Sequence, residues 1–254
     1  MKNKFLVVLA VGLLTGPLAA NADPVQSTTG VFLTFRHCVS GETVCDSIAP
    51  VEAGSYGGLP GESAAITSHT DPTFGEASGS AQLTGAPGAA ELSANATSLP
   101  ATRNGANSIT LQRYTNESAN AQKLTVGATL TYNQTIPAEN AIFPAGSPAR
   151  SGAHAEIFIF SVNADSLEAG TTAEENNTLL LEGPDPSITT TELASAGTEP
   201  SSNVTESGTT TLSSTVTVEP GDSIWLWTIL QSLAANGAVV SATLDTKLES
   251  MKAD

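Results

Sequence analysis

The apolar runs of this chain are short, and most end on a Gly, Pro or Asn turn. Val216-Thr-Val-Glu-Pro-Gly-Asp-Ser-Ile224 shows the pattern, with two β-rich runs meeting at Glu219-Pro-Gly-Asp222. Ser, Thr, Ala, Gly and Asn fill the spaces between such runs. This punctuation predicts an all-β chain, an antiparallel β-sandwich of jelly-roll or Ig-like type with long loops. Sandwiches of this length fold as single units, so one domain is expected over 23–254.

A first strand is expected over Gly30 to Cys38, with its return over Val44 to Ile48, and the Gly-rich stretch from Gly54 to Gly61 reads as loop. Ala77 to Thr84 and Ala89 to Thr97 alternate small and polar residues around Gly85-Ala-Pro-Gly88, which predicts a hairpin. Ser108 to Tyr114 and Lys123 to Tyr132 follow. Ile157, Phe158, Ile159 and Phe160 put apolar residues on both faces of a buried strand at Ala153 to Val162. Residues 183–209 are rich in Ser, Thr, Glu and Pro without apolar periodicity, and read as a long exposed, flexible loop. Thr211 to Val218, Ile224 to Leu233 and Ala238 to Lys247 complete the strands, the last two joined by an Asn236-Gly237 hairpin signal, before a short charged tail.

At the N-terminus, Lys2 and Lys4 precede the apolar run Phe5 to Leu14, and Ala20-Asn21-Ala22 offers a small-x-small cleavage site. Residues 1–22 are expected to be a signal peptide, leaving an exported protein that begins at Asp23 and is periplasmic or extracellular. The uncharged stretch Ser223 to Leu244 is broken by Thr228, Gln231, Ser232, Asn236 and Gly237, so two paired strands explain it better than a membrane span. No membrane insertion is expected. Loss of Lys2 and Lys4 leaves seven basic residues against 25 acids, a net charge of −18. Such a polyanion repels nucleic acid and anionic lipid, which excludes both as partners.

Cys38 and Cys45 are the only cysteines. A four-residue turn at Ser40 to Thr43 sets them directly opposite on paired strands, and an oxidising compartment makes a disulfide the expected state. Two thiols alone cannot complete a zinc site.

Candidate chemical groups each carry a plainer reading. Gly221-Asp222-Ser223-Ile224 has the look of a GDSL-type nucleophile block, but no histidine follows it, and Pro220-Gly221-Asp222 is a turn in its own right. His37, His69 and His154 lack ligand spacing. Glu91, Glu156 and Glu182 fall in or beside expected strands, yet sequence cannot measure the separation a glycosidase needs. Asn163, Asp165 and Glu168 offer oxygen ligands for calcium, against the plainer alternative of a capped turn. Otherwise no metal or cofactor is expected. Trp225 and Trp227 project from one face of a strand about 7 Å apart. They form either a sugar-stacking platform or, because Ile224, Leu226 and Leu230 line the other face, part of the core. Sequons at Asn95, Asn116, Asn133, Asn176 and Asn203 are expected by chance in such a composition.

The succession Gly79-Ser-Ala-Gln-Leu-Thr, Leu124-Thr-Val-Gly-Ala-Thr-Leu-Thr-Tyr132, Ala153-His-Ala-Glu-Ile-Phe-Ile and Val216-Thr-Val-Glu-Pro-Gly-Asp-Ser-Ile224 resembles the secreted bacterial β-sandwich proteins that often carry a PEP-CTERM sorting signal. Nothing after Lys247 supplies that signal. The resemblance implies an extracytoplasmic sandwich associated with extracellular polysaccharide or another surface protein, and it carries over no catalytic residue. The expectation is therefore a non-enzymatic structural or matrix- and surface-interaction protein. The alternatives are a carbohydrate-binding module using Trp225 and Trp227, and an adhesin or pilin-like subunit.

Overall fold

The computed structural model describes residues 27–37, 46–47, 51–58, 64–83, 89–137, 152–163, 190–197 and 204–253. They form thirteen strands in two antiparallel sheets, as the turn-punctuated sequence predicts. Sheet A holds β10 (Thr190–Gly197), β9 (Gly152–Asn163), β12 (Ser223–Ala235), β7 (Thr102–Thr115) and β1 (Ser27–His37) in that order. The short β2 (Asp46–Ser47) and β3 (Val51–Gly58) share the outer side of β1. Sheet B runs β11 (Val204–Val218), β8 (Gln122–Ile136), β13 (Val239–Ala253), β6 (Ala90–Ser98), β5 (Gly75–Leu83) and β4 (Ala64–Asp71).

The two inner faces meet over an unusually small-residue core. Sheet B contributes Ala77, Ala81, Leu92, Ala94, Ala96, Leu130 and Leu244, and sheet A contributes Val31, Leu33, Phe35, Ala106, Leu226 and Leu230, all buried. Small side chains let the sheets approach closely enough for side chains of one to reach carbonyls of the other. Ser108 on β7 donates to the Ser93 carbonyl, and Ser232 on β12 donates to that of Ala94 at 2.8 Å. Asn104, fully buried, donates through Nδ2 to the Phe74 and Thr97 carbonyls, both at 2.7 Å. Gly79 faces this seam. A Cβ there would lie 2.6 Å from Val31 Cγ1 and 2.7 Å from Ser108 Oγ.

Several expectations are corrected. Asn236-Gly237, both at positive φ, does turn the chain, but β12 pairs with β7 and β9 while β13 pairs with β6 and β8. The turn is an arch between sheets, and the strands of 223–244 are not partners of each other. Glu219 to Asp222 likewise carries the chain from β11 in sheet B to β12 in sheet A. A turn signal specifies reversal, and the hydrophobic pattern on both sides of β12 sends it to the middle of a sheet. The hairpin of β5 and β6 forms as read, with Leu83 opposite Ala90. Residues 54–58, read as loop, belong to β3, whose pairing with β1 uses backbone and needs no side chains. Residues 183–209, read as a flexible loop, include β10 and the start of β11. Both are edge strands, where Thr and Ser suffice because neither face has to be fully apolar. β4 was not anticipated, and β13 continues through the segment read as a charged tail. The leader at 1–22, Cys38, Cys45, Asp165, Glu168 and Glu182 lie outside the described residues.

Candidate interaction surface

The two sheets differ on the faces turned away from the core. On sheet B the outward positions are exposed or half-buried, except Gly127, which lies under the Glu249 side chain. The register sets them in rows across the strands. Ser207, Asn133, Ser241, Asn95, Ser78 and Ser68 stand abreast from β11 to β4. The next row is Thr209, Thr131, Thr243, Ser93 and Ser80, ending on Ile66. Six strands make such a row about 24 Å wide, with about 7 Å between rows. No residue of either row is charged, in a chain with 25 acids.

Within the band, hydroxyls and amides bond across strands. Ser241 donates to Asn95 Oδ1 at 2.6 Å, and Asn95 Nδ2 donates to Ser78 Oγ at 3.3 Å. The Ser80 and Ser93 hydroxyls lie 2.7 Å apart, and those of Thr131 and Thr209 lie 3.4 Å apart. These short side chains lose little rotamer freedom on meeting a ligand, and each hydroxyl keeps spare hydrogen-bonding capacity.

Beside the band a groove of about 400 Å³ opens over β4, β5, β6 and β13, bordered by Ile66, Ser80, Gln82, Glu91, Ser93 and Asp245. Ile66 is 78% exposed, which sets an apolar wall in water at its rim. Glu91 and Asp245 are direct cross-strand neighbours and both are exposed. Like charges so placed disfavour the sheet locally. Their oxygens stand in water at the rim of the groove, within reach of a ligand's hydroxyls.

At the far edge, the Tyr132 side chain of β8 lies across Gly208 and donates to Glu206 Oε1 at 3.1 Å, while Gln134 Nε2 donates to Glu206 Oε2 at 3.2 Å. Reduced hydration, then the hydrogen bond and negative charge of Glu206, raise the Tyr132 phenol above its ordinary pKa.

Part of the outward side of sheet A is apolar too. Trp225 and Trp227 point away from sheet B, opposite to Leu226 and Leu230, yet are only 4% and 1% exposed. Ile109 and Leu111 on β7 share that face and are buried. Of the two readings of this pair, part of the core or a sugar-stacking platform, this burial favours the core. Arg36 and Arg103 are cross-strand partners at one end of the same face, and Arg113 is opposite Trp225. Burial, then the charge of Arg36, lowers the Arg103 guanidinium from its ordinary value.

The remaining candidates are dispersed. The Ser223 hydroxyl lies 2.7 Å from that of Thr115 and accepts from Arg113 Nη2 at 3.3 Å; among the described residues no histidine hydrogen-bonds to it. It is a strand-start residue following the Gly221 turn, where φ is +84°. His37 and His69 contact Phe74 and Phe35 edge-on at 6.4 and 5.1 Å between ring centres. His154 is on β9, in register with Leu233. Glu156, also on β9, is in register with Gln231, far from Glu91 on the other sheet. Asn163 ends β9. Among the described residues no group of three His, Cys, Asp or Glu could hold a metal, and no helix is long and apolar enough to cross a membrane. Asn116 is buried, with Nδ2 donating to the Asn120 and Val218 carbonyls at 2.9 and 2.8 Å, so this sequon is closed in the folded chain.

Sequence reasoning missed the band, because its residues come from six separate strands. The visible trace was the alternation Thr129, Thr131, Asn133, Thr135, which places hydroxyls and an amide on one face of one strand. No protein-family model matches the chain, and no curated protein sequence does.

Proposed function

We propose that this is an exported, non-catalytic protein that binds neutral extracellular polysaccharide through the outward face of sheet B. The carrying observation is the uncharged band of Ser, Thr and Asn spanning six strands, kept free of carboxylates on an otherwise acidic molecule. A polymer of hydroxyls has donors and acceptors at close, repeated intervals, and so does the band. The adjoining groove adds Gln82, Glu91 and Asp245 as acceptors and Ile66 as an apolar contact for a ring face. The negative molecule disfavours acidic polymers, which leaves neutral glycans.

The test is affinity electrophoresis in gels carrying dextran, laminarin or xylan. Retardation in at least one gel is expected, with reduction of about tenfold or more in apparent affinity for Ser93→Arg, which fills the band beside the groove. Trp225→Phe, in the buried layer, should migrate as the parent does. Equal migration in all gels and in plain gels would sink the proposal, as would retardation that Ser93→Arg leaves untouched.

A further inference from the structure

Strand β11 is the outermost strand of sheet B and pairs with β8 through fifteen consecutive residue pairs without a shift of register. No described strand pairs with its other edge, although β10 comes near it where the Ser214 hydroxyl donates to the Leu193 carbonyl at 2.9 Å. From Thr205 to Thr211 every residue but Gly208 is exposed, on both faces of the strand. Open edges of this kind template further pairing, and proteins normally blunt them with Lys, Pro, bulges or brevity. The other described edges carry such devices. β10 shifts register between Glu192 and Ala194, β4 spans only eight residues and ends on Asp71, β2 spans two residues, and β3 pairs with β1 through a register shift at Ser27–Thr28. β11 has no Pro, no Lys or Arg and no bulge, and from Ser207 to Thr217 it has no charge.

We infer that β11 is a docking edge for a second copy of this chain, paired antiparallel about a twofold axis at Thr211. The sequence fits itself in that register. Thr211 meets its own counterpart, Thr209 meets Ser213, Ser207 meets Thr215, and Thr205 meets Thr217. Glu206 falls opposite Val216, so no like charges are opposed. Outward residues meet outward residues throughout, which preserves one continuous face. The twofold closes the assembly as a dimer, joining two six-stranded sheets into one of twelve. The net charge of each copy opposes association, so the dimer tightens as salt screens it.

Sedimentation velocity of the purified chain, over a concentration series in low and high salt, tests the pairing. A twofold rise in mass is expected, favoured by salt. Thr211→Lys sets two ammonium groups against each other at the axis, and Thr211→Glu does the same with carboxylates. Thr211 is exposed, so neither substitution disturbs the core. Each variant alone should sediment as a monomer, and a mixture of the two should recover the dimer through a Lys–Glu contact. A parent that stays monomeric across the series overturns the inference. So does a dimer that survives in Thr211→Lys alone, or a mixture that remains monomeric.

Discussion

Gly79 and Gly208 both occupy strands of sheet B, and the surroundings of each decide what a methyl group there would do. At Gly79 the new carbon meets Val31 and Ser108, and Ser108 is held by its bond to the Ser93 carbonyl across the seam. Neither neighbour can withdraw without parting the sheets. Gly79→Ala is therefore expected to cost about 1–3 kcal/mol, read as a lower urea midpoint with unchanged slope. At Gly208 the obstacle is the far end of Tyr132 at an open edge, 2.6 Å from the added carbon. That ring can swing into water, so Gly208→Ala should change stability by less than about 1 kcal/mol in either direction, because the reduced freedom of the unfolded chain offsets the lost Tyr132–Glu206 contact. Equal costs at the two sites would mean that the sheets are not in close contact at the Gly79 seam.

Element by element, strand existence was easier to read than strand partnership. β5, β6, β9 and β12 announce themselves through alternation or continuous apolar runs, and the β5–β6 hairpin through its Gly-Pro turn. Partnership was hidden wherever a tight turn joins different sheets, as at Asn236-Gly237, because turn chemistry is the same for an arch and for a hairpin. β3, β4 and β10 were hidden because edge strands are held by backbone pairing and tolerate loop-like composition. The expected pairing of the first strand with its return is present at two residue pairs, while the link expected between Cys38 and Cys45 lies outside the described residues and is a prediction. Arg36 pairs with Ser47 and His37 with Asp46, and one further step of the same register would set Cys38 against Cys45. The eight residues spanned by that link would contribute about 2 kcal/mol through the unfolded state. Thiol titration of the unfolded, unreduced chain should find no reactive thiol, and a Cys38→Ser, Cys45→Ser double variant should lose stability by about that amount. One or two titratable thiols in protein matured in an oxidising compartment would rule the link out.

At the scale of the whole molecule, acids far outnumber bases. Arg36, Arg103 and Arg113 belong to the outward face of sheet A, while the strands of sheet B carry Lys123, Lys247 and Lys252 together with Glu76, Glu91 and Asp245 around an uncharged band. With nine Lys and Arg against 25 Asp and Glu, most carboxylates lack a matching cation, and the formal charge of −16 is repulsion that folding concentrates. Screening should relieve it. Raising ionic strength from about 0.01 to 0.15 M shortens the screening length from about 30 to 8 Å, below the span of the sheets. The expected gain is about 1 kcal/mol, a rise in Tm of about 2–4 °C by calorimetry. The same salt would favour pairing at β11, and a dimer is itself stabilised by mass action. The Thr211→Lys variant separates the two effects, since as a monomer it keeps the screening gain and loses the association gain. If its Tm does not rise with salt at all, repulsion among the carboxylates is not what limits the stability of this fold. The scarcity of Lys and Arg would then reflect only what the outer surface must keep away.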